Sequence, residues 1–274
     1  MNNRYAFLGP AGTFTEEALR SLGIPDLEAI PCVSIEDVFA TVERGKADAG
    51  IVPIENSVEG SVNSTLDALA FDCGLTISRE VVLDIHHALI AAPGESLEST
   101  SIVASHPHAT AQCRKWLAGN LPGAVVEATN STAEAVRRAV AEPGVAAVGT
   151  RLAAELHGGV LLAESIEDFA GNQTRFVVVG RRAHEPTGDD KTTLALFLHE
   201  DRPGALLMIL SEFAYGSINL TKIQSRPTKR ALGEYMFFVT LEGHAEDPAV
   251  ALALECLRLK LRRVRVLGSY PRAR

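Results

Sequence analysis

The run Phe176-Val177-Val178-Val179 carries no charge and is dense in β-branched residues. Such a run reads as a strand covered on both faces, the kind that sits inside an α/β sheet. It is entered through a polar stretch, Gly171-Asn172-Gln173-Thr174-Arg175. Polar groups at the lip of a buried strand need partners, either from the fold or from a ligand. Alternation places Thr174 and Phe176 on one face and Arg175 on the other. Asn172 and Gln173 read as loop; Thr174-Arg175-Phe176 gains weight from the segments that precede it.

Upstream, short apolar runs alternate with capped helical segments. Tyr5–Leu8 reads as a strand and Gly9-Pro10-Ala11-Gly12 as a turn, with Thr13 and Glu16 as a capping box opening a helix through Leu22. A turn that leads into a helix start leaves amides free for a carboxylate or phosphate. Its spacing is neither that of a dinucleotide-binding loop nor that of a P-loop. Glu28–Val33 is a second strand, and Ser34 with Asp37 caps a helix that ends at Gly45. Ala47–Ile54 is a third strand, delivering Glu55-Asn56-Ser57 at its carboxyl end, and a helix over 61–71 follows. Ligands in open α/β sheets collect at the carboxyl ends of strands, so 9–13 and 55–57 belong to one cleft edge.

Residues 75–92 are too long an apolar run for one strand and read as a crossover between two lobes. The pair His86-His87 inside it reads as interior or hinge histidines, because no acidic partner stands at helical spacing. A second βα set follows. Ser101–Ala104 is a strand with Ser105-His106-Pro107-His108 at its end, and 108–117 is a helix carrying Gln112. Ala124–Thr129 and Val145–Val148 are strands, Ser131 with Glu134 caps the helix between them, and another helix runs to Gly158. The expected result is a two-lobed clamp whose cleft holds Thr13, Asn56, Ser105, Gln112 and Thr174. Ser105 and His106 are neighbours on a strand and face opposite ways, which argues against a Ser-His-acid hydrolase.

Residues 181–191 are polar and rich in turn formers and read as a linker. A β-α-β-β-α-β series follows, with strands at 192–199, 218–225, 235–242 and 264–267 and helices at 203–215 and 248–260. That order fits a ferredoxin-like sandwich.

The formal net charge of -8 over 274 residues argues against non-specific nucleic-acid binding, since no basic face supplies counterion release. Any anionic ligand must then be met by local donors. The four cysteines make no C-x-x-C pair and read as buried free thiols, against structural zinc or a redox motif. No apolar run reaches the ~18 residues of a membrane span, and no signal-peptide core precedes the first strand. A soluble cytoplasmic protein is expected.

Taken together, Gly9-Pro10-Ala11-Gly12-Thr13-Phe14, Val52-Pro53-Ile54-Glu55-Asn56-Ser57, Ser105-His106-Pro107 and Thr174-Arg175-Phe176 resemble the motifs of prephenate dehydratases. Gly204-Ala205-Leu206 and Ser225-Arg226-Pro227 resemble those of the ACT domain that follows in that family. The resemblance covers nearly the whole chain, and the order and spacing of the motifs make it specific. It implies an α/β catalytic domain over 1–182 with the two-lobed, periplasmic-binding-protein-like type II architecture. Lobe one would span about 1–80 plus the return strand 174–182, and lobe two about 81–173. A linker at 183–191 and an α+β ferredoxin-like ACT domain at 192–274 complete the expectation. The helical chorismate mutase domain fused in some relatives is not expected, since the first strand begins at Tyr5.

The resemblance further implies conversion of prephenate to phenylpyruvate, water and carbon dioxide in phenylalanine biosynthesis, with phenylalanine as feedback effector and a homodimer or homotetramer. It places catalytic roles on Thr174, Asn56, Ser105 and Gln112, and substrate binding on Gly12, Thr13, Glu55, Ser57, Arg175 and Phe176. It places phenylalanine binding on Gly204, Ala205, Leu206, Asn219, Gln224, Ser225, Arg226 and Pro227. Two positions depart from the family pattern: Gln224 stands where glutamate is usual, and His108 where glutamine is frequent. Arogenate, the amino analogue, is the nearest alternative substrate, and a non-catalytic amino-acid-sensing clamp is the alternative of a different class.

The implied chemistry suits a site without metal or organic cofactor. Loss of carbon dioxide and hydroxide makes the ring aromatic, so the driving force is already in the substrate. The protein has to hold two carboxylates, desolvate one of them and assist the departing hydroxyl. Arg175 and the amides near Thr13 are the candidates for the first task, and Thr174 for the last.

Overall fold

The computed structural model describes residues 3–229 and 234–273. The chain opens with β1 (Arg4–Leu8), α1 (Phe14–Ser21), β2 (Glu28–Cys32), α2 (Ile35–Glu43) and β3 (Ala49–Asn56). The short β4 (Gly60–Ser61) folds back on β3, and α3 (Asn63–Asp67) runs on as a π-helical turn over Ala68–Asp72. Then come β5 (Thr76–Asp84), β6 (Ala88–Ala91), β7 (Ile102–Ser105), α4 (Pro107–Gln112) and α5 (Arg114–Asn120). They are followed by β8 (Val125–Ala128), α6 (Thr132–Ala141), β9 (Val145–Gly149), α7 (Arg151–His157), β10 (Val160–Ala163) and β11 (Gln173–Gly180). The last stretch holds β12 (Asp190–Phe197), α8 (Ala205–Tyr215), β13 (Leu220–Pro227), β14 (Tyr235–Glu242), α9 (Pro248–Lys260) and β15 (Arg263–Pro271). Among the described residues no helix is long and apolar enough to cross a membrane.

One sheet has the order β2-β1-β3-β11-β5, and a second the order β10-β6-β9-β7-β8. The chain divides into two compact units, Met1–Asn63 with Val81–Phe176 and Ser64–Glu80 with Val177–Arg274. In the first, the second sheet is buried on both faces, as period-2 alternation requires. Ile90, Ala104 and Ala147 pack under α6 and α7, while Leu89, Val103 and Val148 pack under α4 and α5.

Local chemistry sets the element ends. Ser34 Oγ accepts from the Asp37 amide and Asp37 Oδ2 from the Val33 amide, a reciprocal cap for α2. Ser131 and Glu134 do the same for α6. At α1 the expected box is only half present. Glu16 Oε2 reaches back to the Gly12 amide at 2.7 Å, but the Thr13 hydroxyl donates to the Leu8 carbonyl instead of capping. Two further expectations change. The helix foreseen over 108–117 breaks at Cys113 into α4 and α5, and Ser105 lies inside β7 rather than at its lip.

In the second unit, β13-β14-β12-β15 is antiparallel throughout, and α8 and α9 cover one face with Ile209, Phe213, Leu254 and Leu257 against Leu194, Leu196, Val239 and Leu241. The other face receives residues 64–80. Phe71 meets the Phe197 ring edge-on at 5.8 Å, Arg226 donates to Asp67 through Nε and Nη2, and Thr76 Oγ1 donates to the Leu267 carbonyl at 3.0 Å. At Gly268, with φ at +155°, the backbone of β5 comes so close that an added Cβ would sit 2.7 Å from the Ile77 nitrogen and closer still to its carbonyl oxygen. Rigid main chain on the other side cannot yield as a side-chain tip would. We expect Gly268→Ala to lower stability by about 2–3 kcal/mol, as overpacking does, read as a fall in melting temperature.

Candidate active site

In the first unit a cavity of about 530 Å³ opens at the carboxyl ends of β1 and β3 and at the starts of three helices. Thr13, Phe14 and Thr15 come from the start of α1; Asn130, Ser131 and Thr132 from the start of α6; His106, His108 and Ala109 from the start of α4. Asn56, Glu59, Ile85, His87, Gln112, Thr174 and Phe176 contribute to the wall. Among the described lining residues there is no lysine or arginine. The opening amides of a helix have no acceptor within it, and the helix dipole adds to their pull on anions. An anion would be met here by main-chain donors of α1 and α6.

The buried side of the cavity is a chain of amides with a fixed polarity. Asn56 Oδ1 accepts from the backbone amides of Val58 and Glu59, each at 2.9 Å. That anchors the side chain, so its Nδ2 must face the interior as a donor. Nδ2 donates to Asn172 Oδ1 at 2.8 Å and to Thr174 Oγ1 at 2.8 Å. Asn172 Nδ2 in turn donates to Gln112 Oε1 at 3.0 Å, and the same oxygen is 3.0 Å from His87 Nε2. Since Gln112 Oε1 only accepts, His87 carries its proton on Nε2. Thr174 Oγ1 is therefore an acceptor toward Asn56, and its hydrogen is left for a further acceptor.

The structure brings Thr13, Asn56, Gln112, Thr174 and Phe176 into this wall. Other expected site residues lie elsewhere. Ser105 is fully buried and its hydroxyl donates to the Val148 carbonyl at 2.6 Å, because β7 runs one residue further than the sequence suggested. Arg175 faces away from Thr174, as alternation required, and pairs with Glu55 at 3.0 Å, so neither lines the cavity. Ser57 Oγ accepts from the Gln173 amide at 2.9 Å and so holds the entry of β11. Gly12 serves packing: its φ is +88°, an added Cβ would lie 2.9 Å from Ala153 Cβ, and its carbonyl accepts from Thr150 Oγ1.

Sequence reasoning passed over Asn172, read as loop, and His87, read as interior. Asn172 is 4% exposed and links Asn56 to Gln112. His87 is 3% exposed, sits edge-on to Phe14 at 5.3 Å, and still contributes to the cavity wall. Burial is the main cause pushing its pKa down; the bond to Gln112 and the charge of Glu167 oppose that, and His86 adds to it. At the rim, burial and then the neighbouring His108 lower the pKa of His106; the two rings stack at 5.2 Å, and His108 Nδ1 lies 3.3 Å from Glu59.

In the second unit Gly204, Ala205 and Leu206 line a cavity of about 480 Å³ with Arg202, Leu210 and Phe237. The other expected effector residues do not line it. Ser225 and Pro227 are exposed on the edge strand, Arg226 is held by Asp67, and Asn219 accepts from the Glu242 amide through its carbonyl. Gln224 Oε1 is buried without a hydrogen-bond partner among the described residues.

The family model for prephenate dehydratase matches residues 5–184, and that for the ACT domain matches residues 192–255. A prephenate dehydratase of Mycolicibacterium vanbaalenii is 42% identical, over 97% of this chain and 90% of its own. A crystal structure of prephenate dehydratase in complex with L-Phe from Arthrobacter aurescens matches with a TM-score of 0.90 at 43% identity, over 98% of this chain and 90% of that one. A structure of GqqA, described as a novel type of quorum quenching acylase, matches with a TM-score of 0.89 at 30% identity, over 98% of both chains. Motif order, the two α/β sheets, the antiparallel sheet under α8 and α9, and these matches agree: the chain belongs to the prephenate dehydratase family and carries an ACT domain after its catalytic part.

Proposed function

We propose that the cavity binds prephenate and converts it to phenylpyruvate, water and carbon dioxide. The observation that supports this most is the backbone-anchored Asn56 amide donating to Thr174 Oγ1 at 2.8 Å, which leaves the threonine hydrogen to point at a ligand. A hydroxyl held in this way stabilises a departing oxygen by hydrogen bonding. The carboxylates are taken by the amides at the starts of α1 and α6, each such contact contributing about 0.3–1 kcal/mol. Arg175, engaged by Glu55, takes no part in holding them. Phe14, Ile85, Pro53 and Phe176 supply the apolar surface that strips water from the ring carboxylate, and loss of solvation favours its departure as neutral carbon dioxide.

Arogenate is the second reading. Its ammonium would seek a carboxylate, and the one carboxylate among the described lining residues, Glu59, is held by His108. The 30% identical structure is described as a quorum quenching acylase; acyl transfer through a hydroxyl nucleophile requires a base beside it. Among the described residues the hydrogen-bond partner of Thr174 Oγ1 is the Asn56 amide, which is no base.

Phenylalanine is the effector this reading assigns to the ACT domain, in line with the L-Phe complex of the 43% identical relative. Incubating the full chain with prephenate and with arogenate, with and without phenylalanine, tests all of this. Phenylpyruvate should form from prephenate faster than phenylalanine forms from arogenate, and added phenylalanine should slow the first reaction and raise the melting temperature. Ligand-driven stabilisation without product would instead make the chain a sensor.

A further inference from the structure

His87 has one committed nitrogen and one uncommitted. Nε2 must donate to Gln112 Oε1, a consequence of the amide polarity that starts at the Val58 and Glu59 amides and passes through Asn56 and Asn172. In the neutral ring Nδ1 is then a bare lone pair. It is shielded from solvent and has no hydrogen-bond partner among the described residues. A buried acceptor without a partner is costly, and its persistence in a cavity wall points to a partner that arrives with the ligand.

The reaction itself lacks one component. Prephenate as a dianion gives phenylpyruvate as a monoanion, carbon dioxide and hydroxide, so one proton must reach the departing oxygen for water to leave. A threonine hydroxyl is too weak an acid to supply it outright. Of the wall's three histidines, His106 and His108 sit at the rim near Glu59, and His87 lies on the buried side with Gln112, next to the Thr174 chain.

Building on the dehydratase reading, we propose that His87 is a further catalytic residue, the acid that delivers this proton from Nδ1, loaded when the dianion enters. The C–O bond breaks, the Nδ1 proton moves to the departing oxygen as water, and the bond to the ring carboxyl breaks with its electron pair entering the ring. His87 returns to the neutral Nε2–H form and takes up its next proton when another dianion enters. Thr174 holds the same oxygen by hydrogen bonding but gives up no proton.

The surroundings suit a proton that is held only briefly. Burial disfavours the cation, as does His86; Glu167, whose Oε2 accepts from the His87 amide at 2.9 Å, favours it. Phe14 from α1 and Gln112 from α4 bring no charge. A bound dianion tips this balance toward the cation. Because the protonated form is the active one, kcat falls as pH rises through the pKa of the occupied site.

The test measures kcat and KM of the full chain from about pH 5.5 to about pH 9, for the wild type and for His87→Gln. Glutamine keeps an N–H toward Gln112 and carries no titrating proton. The expected result is an alkaline fall of kcat in the wild type. In H87Q, kcat drops by about 10²-fold or more, KM stays within a few-fold, and the alkaline fall disappears. Wild-type-like turnover in H87Q, or reduced turnover that keeps the alkaline fall, would overturn the proposal. So would a flat wild-type profile, which decides the matter even if the variant does not fold. A wild type that forms no phenylpyruvate at all would instead remove the dehydratase reading on which the proposal rests.

Discussion

Replacing Thr174 by valine lowers kcat by about 10²–10³-fold, the usual cost of removing one donor aimed at developing charge, and leaves KM within a few-fold. Valine keeps the shape of the side chain, so Phe176 and the strand beyond it stay packed. Asn56 Nδ2 loses one acceptor and retains Asn172 Oδ1 and the Gln173 carbonyl, so the amide chain persists. In the proposed binding mode the carboxylates are held at the helix starts, so binding should change little. Steady-state kinetics on prephenate checks this. A raised KM with kcat unchanged would mean that Thr174 serves binding alone.

An equally large effect is expected at Asn56. Asn56→Asp keeps the acceptor for the Val58 and Glu59 amides and replaces the donor Nδ2 by an oxygen. That oxygen faces Asn172 Oδ1 and Thr174 Oγ1, both within 2.8 Å of the present nitrogen. The threonine hydrogen would turn to the new carboxylate, so the cavity would lose its donor, and Asn172 would meet an acceptor where it had a donor. We expect kcat to fall by about 10²-fold or more. KM should rise about tenfold, because a charge of the same sign as the substrate has been added. T174V leaves KM alone and N56D does not; that contrast separates loss of the hydroxyl from reversal of the polarity. A variant that folds, by its melting temperature, and keeps wild-type kinetics would remove the amide chain from the mechanism.

Much of this is legible in the sequence, because strands and caps are local. The run 176–179 announces a buried strand, Ser34 with Asp37 and Ser131 with Glu134 announce helix starts, and alternation alone puts Thr174 opposite Arg175. What fails is either a matter of one residue or not local. Ser105 looks like a lip residue, and one more residue of β7 turns its hydroxyl inward to the Val148 carbonyl. Arg175 suits a carboxylate by its chemistry, although its own alternation faces it away; only the fold shows Glu55 waiting there. His87 is hidden because a histidine in an apolar run looks the same whether it is packing or chemistry. Only the bonds around Gln112 tell which nitrogen is left over. Residues 64–80 read as part of the first α/β series, and nothing in their periodicity reveals that Asp67, Phe71 and Ile77 pack against β12, β13 and β15.

The central claim is that the hydroxyl of Thr174 addresses the departing oxygen of a ligand whose carboxylates lie on the starts of α1 and α6. Crystals of the Thr174→Val chain, slow enough to hold unreacted prephenate, test it in one measurement. The ring hydroxyl should lie in van der Waals contact with a methyl of the substituted side chain, about 3.5–4 Å away, with the carboxylates at the amides near Thr15 and Thr132. Prephenate seated with that hydroxyl against the Glu59–His108 rim, and a carboxylate beside the substituted position, would contradict it.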